Sequence, residues 1–142
     1  MRQEILDYLK SQRVGILSLE MLDGSPHAAA VHFAHIESPL TFFFETDSNY
    51  RKAEPLLKKS MTRASLVIGS DESLMKTFQL DGKVELLKSQ EKRIFDSVYP
   101  GKFPGKKEKL QSSKVILFKF TPTWWRFTDW ANPQGKTIWT SE

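Results

Sequence analysis

Three apolar runs joined by very short connections dominate the first third of the chain. They are VGILSLEML from Val14, HAAAVHFAHI from His27 and LTFFFET from Leu40, separated by DGSP at 23–26 and by Ser38-Pro39. Parallel neighbours need a crossover of about a dozen residues or more, so these connections admit only an antiparallel meander. The rest of the chain must extend or cover that sheet. Ile5, Leu6 and Leu9, with Tyr8 beside them, follow helical spacing and predict an amphipathic helix over 2–12. Asp47 or Ser48 can cap a second helix through NYRKAEPLLKK. Pro55 within it predicts a break near Glu54, since an interior proline loses a backbone hydrogen bond and costs about 3 kcal/mol.

Two strands follow, RASLVIG and a long one through MKTFQLDGKVELL, where Asp81-Gly82 predicts a bulge or sharp bend. Ser89 caps a third helix carrying Ile94, Phe95 and Val98 on one face and ending at Tyr99-Pro100. KVILFKFTP and TWWRFTDW form a strand pair bent at Pro122, and KTIW is a last strand after the Asn132–Gly135 turn. Strands in this order, with helices between them, predict a β-rich α+β fold: one domain over 1–142, a closed or nearly closed antiparallel barrel of six to eight strands with peripheral helices. All four tryptophans lie in the last 19 residues. Alternation cannot send both Trp124 and Trp125 into one core, so one of them faces a ligand, a partner subunit or solvent.

Composition removes several chemistries. There is no cysteine, hence no disulfide, zinc-thiolate site, iron–sulfur cluster or thiol nucleophile, and three scattered histidines do not suggest a metal site. The charged amino terminus has no signal-peptide character and no stretch approaches the ~20 apolar residues of a membrane span, so a cytoplasmic protein is expected. Basic residues outnumber acidic ones by 21 to 17, and the excess lies wholly in residues 101–142, with 8 against 3. Lys102, Lys106, Lys107 and Lys109 supply much of it. They read as a solvated loop; contact with nucleic acid is the alternative, without an aromatic-interleaved RNA-binding signature to support it.

No GxSxG elbow, Walker loop, Rossmann glycine fingerprint or HExxH pair occurs. The segment with anion-binding logic is TDSNYRK, Thr46 to Lys52: it leaves a buried strand, offers hydroxyls, enters a helix whose free amides and dipole favour negative charge, and carries Arg51 and Lys52. An ordinary capped helix with two solvated cations accounts for the same residues. His32 differs in strand parity from His27 and His35, and each fits a strand histidine as well as a ligand. Ala28, Ala29 and Ala30 leave space beside a strand for tryptophan packing or for a flat ring.

Taken together, the helix, VGILSLEMLDGSPHAAAVHF, LTFFFETDSNYRKAEPLLKK, RASLVIG, FQLDGKVELL and LFKFTPTWWRFTD resemble the pyridoxamine 5′-phosphate oxidase-like family, the FMN-binding split barrels, over nearly the whole chain. The resemblance implies an antiparallel split barrel that binds FMN. Its phosphate would lie at Thr46, Arg51 and Lys52, with Tyr50 where a small hydroxyl residue is common. Ala29, Ala30, Val31 and His32 would run along the flavin ring, and Thr77 or Gln79 would reach it from a neighbouring strand. It further implies a homodimer with each flavin in the groove between subunits, and an oxidoreductase acting on a small molecule. Ala29 and Ala34 stand where pyridoxamine 5′-phosphate oxidases carry cations, and the Arg-x-His substrate motif is missing, so another substrate is expected. A deazaflavin or heme in the same fold, or a non-enzymatic interaction module using the lysine loop, are the alternatives.

Overall fold

The computed structural model describes all 142 residues. Eight antiparallel strands form one curled sheet: β1 (Val14–Glu20), β2 (Pro26–His32), β3 (Ala34–Glu37), β4 (Leu40–Asp47), β5 (Met61–Ile68), β6 (Lys76–Leu86), β7 (Val115–Asp129) and β8 (Thr137–Thr140). Their order is β2-β1-β5-β6-β7-β4-β3, with β8 added to β7. The sheet curls into a half-barrel, the split barrel that the resemblance implies. The long second run of the meander is two strands, because Phe33 turns inward to full burial and hands the chain from one end of the sheet to the other.

The three successive phenylalanines of β4 are explained by burial on both faces. Phe42 and Phe44 enter the main core with Leu17, Leu66, Phe78, Phe118 and Phe120. Phe43 points the other way, into a smaller core with Ala34, Phe95, Tyr99 and Phe103. Helix α1 (Gln3–Ser11) contributes Ile5, Tyr8 and Leu9 to the main core. The Tyr8 hydroxyl lies 3.3 and 3.1 Å from the carbonyls of Ile68 and Lys76, which satisfies a buried polar group.

Several local expectations are corrected. No helix starts at residue 49: turns cover 48–52, and α2 spans Ala53–Lys59. Pro55 is its third residue, where an amide has no helical partner to lose, so it neither kinks nor breaks the helix. The helix α3 (Lys92–Lys102) runs past Pro100, and its approach is closed by the Glu91 carboxylate, which accepts from the Lys88 amide at 3.0 Å, in place of a Ser89 cap. Pro122 does not divide the late strand pair, since β7 is continuous over 15 residues. The irregularity expected at Asp81-Gly82 is present. Asp81 pairs with Trp124 and Gly82 with Pro122, leaving Thr123 as the extra residue on the opposite strand. A Cβ on Gly82 would sit 2.1 Å from the Thr121 carbonyl oxygen, so only glycine permits this approach. Nor are residues 103–110 a free loop: a 3₁₀ turn (Pro104–Lys106) leads into α4 (Lys107–Leu110).

A candidate anion site at the split of the barrel

The sheet ends in β2 on one side and β3 on the other, so the barrel stays open between them. β3 pairs with β4 only from Glu37↔Leu40 to Ala34↔Phe43. Beyond Phe43, β4 keeps β7 as its sole ladder partner, while β2 is paired only with β1. A cavity of about 170 Å³ opens at this seam. β2 contributes Ala30, Val31 and His32, and β4 contributes Glu45 and Thr46. The turn before α2 adds Tyr50 and Lys52, and the segment after α3 adds Lys106 and Lys109.

Positive charge dominates the walls. The Glu45 side chain, 4% exposed, receives Lys106 Nζ at 2.8 Å and Lys109 Nζ at 3.1 and 3.0 Å from its two oxygens. Burial alone would push the Glu45 carboxyl up, but the hydrogen bonds and charges of the two lysines outweigh it and hold it below the usual carboxylate range. Lys106 Nζ also lies 3.1 Å from the Tyr99 hydroxyl. Lys52 has no carboxylate within ion-pair distance and stands 4.8 Å above the Tyr50 ring; burial depresses its pKa, with Glu45 opposing and Lys109 adding to the effect. The cavity therefore holds three ammonium groups and one carboxylate, with Lys52 left unpaired. His32 stacks on Phe103 with centroids 4.8 Å apart, and burial followed by the charges of Lys106 and Arg13 lowers its pKa, which favours the neutral imidazole.

Donors other than lysine are fewer than a helix N-terminus would offer. The amides of Ser48, Asn49 and Tyr50 are taken by the Lys114 carbonyl, the Asp47 carboxylate and the Asp47 carbonyl, leaving those of Arg51 and Lys52 without a protein acceptor. The Thr46 hydroxyl is buried and makes only a 3.4 Å contact with the Asp47 carbonyl. This donor set, with its excess of positive charge, fits a phosphate group. A flavin ring would have to lie outside so small a cavity.

Of the residues that the sequence suggests for FMN, the structure gathers Ala30, Val31, His32, Thr46, Tyr50 and Lys52 at this cavity. Ala29 packs inward against the main core. Arg51 is exposed and does not line the cavity; Asp23 feels its charge. Thr77 borders a separate groove with Gly69 and Trp130, and Gln79 accepts from Arg126 Nη2 at 2.9 Å. Ladder pairing sets Ala30, Ile16, Val67, Gln79 and Arg126 in one row on the outward face of the sheet, so Gln79 stands three strands, roughly 14 Å, from Ala30. Sequence reasoning missed Glu45, Lys106 and Lys109. Their signal was the lysine cluster, whose partner is a buried acid in a phenylalanine-rich strand 61 residues away.

Fold and seam together define an antiparallel split barrel with a lysine-lined opening. The pyridoxamine 5′-phosphate oxidase family model matches residues 1–129, and the chain belongs to that family. No curated protein matches it in sequence. Its fold is similar to that of a heme binding protein from Mycobacterium smegmatis, with a TM-score of 0.76 and 15% identity over 99% of this chain; the chain spans 59% of that protein's length. It is similar too to the heme storage protein HutZ from Vibrio cholerae, with a TM-score of 0.70 and 17% identity over 86% of this chain and 91% of that one. A third likeness is to a Clostridium acetobutylicum protein related to general stress protein 26 of B. subtilis, with a TM-score of 0.68 and 15% identity over 96% and 91% of the two chains. No helix is long and apolar enough to cross a membrane.

Proposed function

We propose that the chain is an FMN-binding oxidoreductase that places the cofactor phosphate in the cavity between β2 and β4. The observation that carries this reading is Lys52, a half-buried cation without a carboxylate partner, in a pocket where three lysines face one acid. Their formal charge of +2 matches a phosphate monoester, which carries about −1.5 to −2 at neutral pH. When bound, FMN supplies hydride or electron transfer. The chain's part is to hold the phosphate with Lys52, Lys106, Lys109 and the Thr46 hydroxyl, and to offer the small-residue edge of β2 to the ring. The acceptor is a small molecule other than pyridoxamine 5′-phosphate, since the cations that would clamp a second phosphate are absent at Ala29 and Ala34.

The working unit in this reading is a homodimer. Ile16, Val67 and Trp124 are exposed on the outward face of the sheet; Arg51, Thr77 and Gln79 do not line the cavity, and Gln79 stands roughly 14 Å from Ala30. A second copy laid on this face would bring Gln79 and Thr77 to the flavin of the first. Titration with FMN, followed by flavin fluorescence, tests the assignment. Lys52→Ala is expected to weaken binding at least tenfold, while Lys107→Ala, outside the cavity, changes it less than twofold; equal affinities reject the site. Val67→Glu is expected to shift the protein to a monomer in size-exclusion chromatography and to weaken FMN together with it.

Heme is the second reading. His32 lines the cavity with its imidazole favoured in the neutral, ligand-competent form, and the lysines suit propionates as they suit phosphate. Two of the similar folds belong to a heme binding and a heme storage protein. A Soret band that appears on heme addition and shifts in His32→Ala would favour it; an unchanged free-heme spectrum would reject it.

A further inference from the structure

The buried carboxylate of Glu45 is an odd presence in a site for anions. It lies at the cavity wall with both oxygens turned to the lysines that an anion would use. A pocket meant only to attract negative charge would do better without it. We propose that Glu45 is a specificity-determining residue, which holds the cavity at a formal charge of +2 and thereby selects one phosphate dianion over pyrophosphate and other more highly charged anions. This rests on the reading that the cavity takes a phosphate, and it adds which class of phosphate.

Two opposing dependences on ligand charge support the assignment. Attraction to a fixed set of wall charges grows in proportion to ligand charge, whereas the cost of stripping water from the ligand grows with its square. The ligand charge that binds best therefore rises with the charge of the pocket. With Lys52, Lys106 and Lys109 against Glu45, the pocket carries a formal +2, which a dianion neutralises. Without the carboxylate the pocket would carry +3 and the optimum would move toward more highly charged anions. Glu45 is the one acidic side chain that lines the cavity, and His32 beside it is favoured in its neutral form. Its near-complete burial means that bulk solvent cannot screen it from a ligand a few ångströms away.

Inorganic phosphate and pyrophosphate, titrated at pH 8 by calorimetry into the full chain and into Glu45→Gln, test this without any flavin. Gln has nearly the volume of Glu and keeps a carbonyl to accept from Lys106, so a change in preference reports charge and not space. The unaltered chain is expected to prefer phosphate, and Glu45→Gln to move the phosphate-to-pyrophosphate affinity ratio toward pyrophosphate by about tenfold or more. Were Glu45 merely an anchor for Lys106 and Lys109, both anions would weaken together and the ratio would stand; that result overturns the proposal, as does a preference for pyrophosphate in the unaltered chain. If Glu45→Gln does not fold, Lys109→Gln, at a more exposed position, lowers the charge to +1 and should cut phosphate affinity about tenfold and pyrophosphate affinity more; an unchanged ratio there is equally fatal. Phosphate binding without FMN binding would refute the flavin reading and leave this one standing, whereas FMN binding with no phosphate-over-pyrophosphate preference would do the reverse.

Discussion

Removing Lys106 tests how far the seam is held by charge. Its side chain is one-fifth exposed, and its ammonium lies 2.8 Å from a carboxylate that is almost wholly buried and also meets the Tyr99 hydroxyl. Breaking a buried ion pair from one side costs about 3–5 kcal/mol, because the other charge is left without compensation. In Lys106→Met that cost is incomplete, since Lys109 still reaches both Glu45 oxygens. Roughly half the range, about 2 kcal/mol, is expected, or a fall in Tm of about 7 °C for a chain of this size. The loss also has a pH signature. The folded-state pKa of Glu45 is lowered, so its contribution is complete above the unfolded carboxyl pKa of about 4.3 and fades as pH falls through the folded value. Urea unfolding at pH 7.5 and near pH 3 should therefore show a large difference between Lys106→Met and the unaltered chain at the higher pH and a smaller one at the lower. Combining Lys106→Met with Glu45→Gln should cost less than the two singles together, by about 1 kcal/mol or more. A difference under about 0.5 kcal/mol at pH 7.5, or one of equal size at both pH values, would refute the idea that a buried charge pair pins the turn before α4 to the barrel.

Two further expectations concern the frame around the site. Gly82→Ala should destabilise by about 3 kcal/mol in chemical denaturation, because the new methyl must displace a β7 carbonyl 2.1 Å away; a loss under about 1 kcal/mol would mean that the bulge slides freely. The His35 imidazole, pushed down to about 4 first by burial and then by Lys102, should stay neutral in NMR titration down to about pH 5. Since its folded pKa lies below the unfolded value of about 6.5, this residue should reduce stability progressively as pH drops from there toward 4, and His35→Gln should flatten that part of the profile.

The sequence carried the fold because the information involved is local and periodic. Short connections between alternating runs exclude parallel pairing, Asp81-Gly82 marks the bulge, and the α1 stripe marks the face that seals the core. Proline was misread wherever position within a helix mattered more than identity: Pro55 stands in a first turn that loses nothing, and Pro100 lies near an end. The site was half legible. Thr46, Tyr50 and Lys52 are neighbours in the chain as well as in space, whereas Ala30 to His32 join them only because the sheet curls until its unpaired end meets β4. Glu45 and the lysines at 106 and 109 could not be joined from sequence at all. Periodicity tells a strand which residues to bury, but which distant charge answers a buried carboxylate depends on where α3 lays the following turn, and only the closed packing around Phe43, Tyr99 and Phe103 decides that.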